Sequence, residues 1–144
     1  AKLGKAHVPE NINFRNLSFT NDMIKYIAAS DLFMGKSGAS SMAEPRFFGV
    51  PMIVTMFATP IERDNARFYI EEVGCAEKHF NVKKAVARAF ELLDNPDEYD
   101  RLRSNALKES ESNGAEYVAD MLFEILTKNF ETDENGNVIR RRIG

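Results

Sequence analysis

Asp31-Leu-Phe-Met-Gly-Lys-Ser-Gly-Ala-Ser-Ser-Met-Ala-Glu44 is the stretch on which the fold turns. Asp31 to Met34 is a short apolar run and reads as a strand. Gly35 to Ser41 reads as a loop of small residues, and Met42 to Phe48 as a helix that stops at Gly49, a glycine C-cap. Pro51 to Met56 follows as a continuous apolar run, which is how a strand covered on both faces looks. Strand, small-residue loop, helix, strand is the order of a βαβ unit with a parallel sheet. The loop also has chemistry in it. The first N–H groups of a helix lack internal partners, and the helix dipole adds partial positive charge at the same end. Gly38 and its small neighbours would let an anion come close to that backbone, and Lys36 could add a full charge.

Working outward toward the N-terminus, Thr20-Asn21-Asp22 is a helix-start signal before Met23, Ile24, Ile27 and Ala28 at helical spacing. Ile12 to Leu17, with Ile12 and Phe14 on one face, reads as a strand. Toward the C-terminus, Ala58 to Glu62 reads as a loop. A helix then carries Ala66, Tyr69, Ile70 and Val73 on one stripe and ends before Gly74. Asn81 is an N-cap for a helix whose apolar face is Val82, Val86, Phe90 and Leu93. Asn95-Pro96 stops that helix and starts another. A last helix carries Val118, Leu122, Ile125 and Leu126. Asn135-Gly136-Asn137 is a turn signal, and Arg140-Arg141-Arg142 follows it. The fold class is α/β, a parallel Rossmann-like sheet followed by C-terminal helices. The boundaries are a flexible lead over 1–11, the nucleotide-binding unit over 12–129 and a basic tail over 130–144. Three or four strands are few for a doubly wound domain, so the unit reads as partial, a fragment of a longer protein or a separate subunit.

The 144 residues suit one domain. With 44% hydrophobic and 28% charged residues the chain has a globular composition, and a net charge of −3 argues against nucleic acid as a partner. The single cysteine, Cys75, allows no internal disulfide, suits a reducing compartment and reads as a small core residue. The two histidines, His7 and His79, stand far apart without ligand spacing, so no metal is expected. No apolar run approaches the ~18 residues of a spanning helix. Phe47-Phe48 and Phe68-Tyr69 read as core. The arginine tail reads as solvated, with contact to anionic lipid as its alternative.

The small-residue loop admits a second reading. Ser41-Met42-Ala43-Glu44 has the form of a capping box, in which Ser41 and Glu44 satisfy each other's backbone N–H groups and bind nothing. The loop is neither a Walker A sequence nor a complete dinucleotide fingerprint.

The ordered set of pieces resembles the carboxyl-terminal domain of glycosyltransferase family 28, over roughly residues 12 to 105. Leu17-Ser-Phe-Thr-Asn-Asp-Met23 is similar to the family's entry segment, and Ala28-Ala-Ser-Asp31 to its "AAD". Lys36-Ser-Gly-Ala-Ser-Ser-Met-Ala-Glu44 resembles "K/R-x-G-x-x-T-x-x-E", with Ser41 in place of the usual Thr. Gly49-Val-Pro51 resembles "G-x-P", and Glu62-Arg-Asp-Asn-Ala66 with Glu72-Val-Gly74 resembles "E-x-x-NA…e-x-G".

The resemblance implies an inverting, metal-independent transfer of a hexose from a UDP-sugar to a lipid-linked acceptor, in a fold of two facing Rossmann-like domains. Glu44 would take both ribose hydroxyls. Gly38, Ala39, Ser40 and Ser41 would meet the diphosphate, beside Lys36, and Thr20 would border the uracil. Glu62, Arg63 and Asn65 would face the donor sugar, while Asp31 would be structural. Ile61 stands where relatives carry a sugar-binding Gln. The glycine-rich turn that opens the family's domain does not precede Ile12. The catalytic base and the acceptor site are expected in an amino-terminal domain or subunit outside this chain, which alone is expected to be inactive and to self-associate. The implied setting is cytoplasmic, peripheral at the inner membrane face. Two rivals are a UDP-sugar 2-epimerase, which shares the architecture, and a non-catalytic interaction domain.

Overall fold

The computed structural model describes residues 12–108, 114–135 and 137–140. Its centre is a three-stranded parallel sheet in the order β1 (Phe33–Lys36), β2 (Met52–Met56), β3 (Ala76–Lys78). Phe33 stands opposite Met52 and Met34 opposite Ile53, while Met52 faces Ala76 on the other side. The buried run therefore lies in the middle of the sheet, as its composition requires. Met52, Ile53 and Val54 are all buried.

Alternation along β2 divides the core in two. Met52 and Val54 pack with Met42 of α2 (Ala39–Phe47), Ala66 of α3 (Pro60–Arg67), Cys75, Ala76 and Ala106 of α5 (Pro96–Leu107). Ile53, pointing to the opposite face, packs with Ala85 and Leu92 of α4 (Val82–Leu93) and with Leu102 of α5. Helices thus cover both faces, which makes the unit a partial Rossmann-like α/β domain. Cys75 is buried in the first cluster, and burial pushes its thiol up to about 11.

Several helix ends follow the chain's own signals. The side chains of Asn81 and Asn95 accept from the Lys84 and Glu98 N–H groups at 3.2 and 3.3 Å, starting α4 and α5. The glycines after α2 and after the helix that follows β2, Gly49 and Gly74, have φ of 68° and 72°. At Gly49 a Cβ would also lie 2.8 Å from Leu107 Cδ2, so both conformation and space require glycine. Beyond α3 the chain makes a π-helical turn over Phe68–Glu72 before Gly74.

Four expectations are corrected. Ile12 to Leu17 is no strand; it runs irregular and exposed and pairs with no described strand. The helix after β2 starts at Pro60, two residues before the expected end of the loop, because Thr59 caps it by accepting from the Glu62 N–H at 3.2 Å. Phe47 and Phe68 stand at the surface, each in edge-to-face contact with its neighbour, Phe48 and Tyr69. The stripe Val82, Val86, Phe90 and Leu93 of α4 is exposed, and Ala85, Ala89 and Leu92 form the face that packs inward. Small residues let α4 lie close to the sheet, so the larger stripe is turned away. In α6 (Gly114–Asn129) Val118, Leu122, Ile125 and Leu126 are exposed as well. β4 (Phe130–Thr132) and β5 (Val138–Arg140) pair antiparallel, and the Asp133 carboxylate accepts from the Asn135 and Asn137 N–H groups at 2.9 and 2.8 Å, while Gly136 of the expected turn lies outside the described residues. His7, Arg141 and Arg142 lie outside the described residues.

One half-buried ion cluster ties β3 to α4 and α5. Arg88 Nη2 and Nε each donate to the Glu77 carboxylate at 2.8 Å, Nη2 also reaches Glu98 at 2.5 Å, and His79 Nε2 lies 3.2 Å from Glu77. The Arg88 guanidinium holds the Glu77 carboxyl below its ordinary 4.5 against the opposing effect of burial. A depressed folded-state value gives stability that is present above the unfolded value and lost as pH falls through the folded one. The melting temperature is therefore expected to fall on acidification below 4.5, the ordinary glutamate value. Arg88→Leu should flatten that dependence as well as lowering stability. Thermal unfolding of both proteins across the acid range checks it; equal acid slopes would refute the assignment to this cluster.

Candidate functional site

The carboxyl edge of the parallel sheet brings together the end of β1, the start of α2 and the start of α3. β1 runs to Lys36, further than the apolar run implied, and α2 begins at Ala39, three residues earlier. Gly38 is the N-cap, in extended backbone, and no side chain of the described residues caps this helix. The capping-box reading is thereby corrected. Ser41 is the third residue of the helix and Glu44 lies a turn further in, so neither can serve the orphan N–H groups in that motif. Met42 N–H makes the first intrahelical bond, to Gly38 O at 3.0 Å. The N–H groups of Ala39, Ser40 and Ser41 are thus the donors of the open first turn. The Glu44 side chain is half-buried, with no hydrogen bond or ion pair to another described residue.

Gly38 is not demanded by the fold. Its φ is −65°, and an added Cβ would meet Ser41 Oγ at 3.5 Å and Lys36 Nζ at 3.8 Å, ordinary contacts. The same distances place the Lys36 ammonium beside the open helix end.

Sequence reasoning missed Ser37, the single buried polar residue of the described core. Its hydroxyl donates to the Glu62 carbonyl at 2.7 Å, and its carbonyl accepts from Asn65 Nδ2 at 3.4 Å. Its own N–H donates to Met56 O at 3.2 Å, so Ser37 joins the ends of β1 and β2 to α3. A serine between a strand and a glycine was the available signal, hidden among other small residues. Glu62 itself is engaged at both oxygens. Lys36 Nζ donates to Oε1 and Ala58 N–H to Oε2, each at 2.7 Å. These bonds, the one from Lys36 foremost, hold the Glu62 carboxyl below its usual value. Arg63 is exposed, its guanidinium 3.7 Å from Asp64. Thr20 closes a local turn, its Oγ1 accepting from Asp22 N–H at 3.0 Å just before α1 (Met23–Ala28), which packs on α2. Asp31 lies just before β1, and its carbonyl accepts from the Tyr99 hydroxyl at 2.9 Å. Among the described residues, no group of His, Cys, Asp and Glu is arranged to hold a metal. No helix of the described residues is long and apolar enough to cross a membrane.

The family model described as "Glycosyltransferase family 28 C-terminal domain" matches residues 2–121. Three similar curated proteins carry the name UDP-N-acetylglucosamine--N-acetylmuramyl-(pentapeptide) pyrophosphoryl-undecaprenol N-acetylglucosamine transferase. The one from Caulobacter vibrioides is 32% identical over 111 residues, 72% of this chain and 30% of the relative. That from Corynebacterium diphtheriae is 28% identical over 76% of this chain and 32% of its own length. The protein from Lactococcus lactis is 24% identical over 81% and 34%. The chain spans about a third of the length of these relatives. Fold, ordered motifs and family match agree, and the chain belongs to glycosyltransferase family 28, whose C-terminal domain it carries.

Proposed function

We propose that this chain is the donor-nucleotide part of an inverting UDP-sugar glycosyltransferase that passes a hexose to a lipid-linked acceptor. The observation that carries the reading is the first turn of α2, which no described side chain caps, with the Lys36 ammonium beside it and the Glu44 carboxylate one turn along. An uncapped helix end next to a cation suits a diphosphate, and a carboxylate without a partner among the described residues suits a pair of ribose hydroxyls. The relatives' name supplies the chemical class, a UDP-linked sugar and a pyrophosphoryl-undecaprenol acceptor.

In this reading Ala39, Ser40 and Ser41 donate backbone N–H groups to the diphosphate, and Gly38 leaves room for it. Thr20 borders the uracil, and the start of α3, with Glu62, Arg63 and Asn65, borders the sugar. An acceptor hydroxyl attacks the anomeric carbon and UDP departs. The helix end stabilises the charge that grows on the leaving diphosphate. This needs no metal ion. The acceptor site and its base belong to a further domain or subunit, peripheral at the cytoplasmic membrane face. Calorimetric titration with UDP, UMP and ADP tests the reading. UDP should bind more tightly than either of the others; equal binding of all three, or none, would contradict it.

Self-association is expected as well. The apolar stripes of α4 and α6 are both exposed, and apolar patches beyond a few hundred Å² usually find a partner. Light scattering should report a mass that rises with concentration. A monomer at tens of micromolar would contradict the expectation.

A further inference from the structure

The Lys36–Glu62 pair does more than join two elements. Lys36 ends β1 and Glu62 lies in the first turn of α3, 26 positions later, yet Nζ and Oε1 are 2.7 Å apart. The other carboxylate oxygen accepts from Ala58 N–H at 2.7 Å, and the Glu62 backbone is fixed at both ends, N–H on Thr59 Oγ1 and carbonyl on the buried Ser37 hydroxyl. The Glu62 side chain is 12% exposed, whereas that of Lys36 is 52% exposed. The carboxylate is thus the anchored partner and the ammonium the open one. An ammonium has three donors, so Lys36 keeps two for a ligand while one stays on Glu62. A lysine on a free four-carbon stem loses much rotamer freedom when it meets an anion; one already held loses less.

The geometry points to Glu62 as a positioning residue for the diphosphate. It holds the Lys36 ammonium against the open end of α2 and acts on the nucleotide through Lys36, without touching the sugar. This rests on the donor-site reading above and assigns within it a role different from that of a sugar ligand. Each Glu62 oxygen already accepts one bond from inside the chain, and the side chain is only 12% exposed, so most of its acceptor capacity is turned inward rather than toward a sugar. The consequence concerns selectivity: the contribution of Glu62 depends on the diphosphate and not on what hexose is attached.

A double-mutant cycle read by calorimetry decides it, with uridine, UDP and UDP-N-acetylglucosamine as probes. Glu62→Gln should weaken UDP and the UDP-sugar by the same factor, roughly three- to tenfold, and leave uridine unchanged. In a Lys36→Met background the further change Glu62→Gln should have no effect on either. Carboxyl NMR titration supplies a second readout that needs only the half-exposed Lys36→Met change. In that variant the Glu62 carboxyl should rise from its depressed value toward 4.5. Weakening of the UDP-sugar alone would make Glu62 a sugar ligand and overturn the inference. So would an equal loss from Glu62→Gln with and without Lys36, or tighter UDP binding by Glu62→Gln. Absence of UDP binding by the unaltered protein would instead remove the donor-site reading itself.

Discussion

Glu44→Gln is expected to weaken UDP binding roughly ten- to a hundredfold, the ~1.5–3 kcal/mol of a lost charge-assisted hydrogen bond, and to leave the melting temperature unchanged. The two halves of that expectation have separate grounds. Affinity falls because an amide accepts through one oxygen only, whereas a carboxylate can serve two neighbouring ribose hydroxyls at once. Stability holds because the Glu44 side chain, inside α2, has no hydrogen bond or ion pair to another described residue, and Gln has a helix propensity close to that of Glu. Had Glu44 stood third after a capping serine, Gln would have kept both properties. UDP affinity and thermal unfolding, measured on the same sample, separate the cases. Unchanged affinity would remove Glu44 from the site.

Leu92→Ala is expected to cost about 2–5 kcal/mol, and Leu93→Ala, its neighbour on α4, under about 1 kcal/mol. Leu92 is fully buried against Ile53, Ala85 and Leu102, so truncation removes apolar contact and leaves a cavity between helix and sheet. Leu93 is 47% exposed, and its loss opens no cavity. The pair distinguishes the two possible faces of α4, because the larger apolar stripe and the packed face are different. Denaturant unfolding of both variants reads the difference. A larger loss at Leu93 would mean that the exposed stripe carries the helix's packing.

Much of the fold can be read from local signals. Pro51 to Met56 announces a central strand because Thr55 alone interrupts its apolar residues. Asn81 and Asn95-Pro96 announce helix starts because their side chains do what such residues do at an N-cap. Apart from the start of α3, where the Thr59-Pro60 cap is local, the failures depended on something distant in sequence. The Ile12 to Leu17 pattern fits a strand, but a strand needs a partner, and this segment pairs with no described one. The apolar moment of α4 points along its larger side chains, while the sheet accepts the face lined with alanine.

The candidate site was legible in composition and not in register. Small residues from Gly35 to Ser41 read as one loop, yet the strand claims its first two residues and the helix its last three. A helix that starts on glycine gives no capping letter to find. The same shift removed the capping box and left the first-turn N–H groups open. Ser37 and Glu62 could not be connected from the sequence, since their bond spans 25 positions and depends on where β1 ends and α3 begins.

In the proposed site a donor diphosphate sits on the open end of α2. Titration of the protein with UDP, followed by amide proton–nitrogen correlation spectra, tests this at single residues. The largest and saturable shifts are expected at Ala39, Ser40 and Ser41, absent when uridine replaces UDP. Saturable binding of UDP that leaves those three amides unmoved while others shift would contradict it.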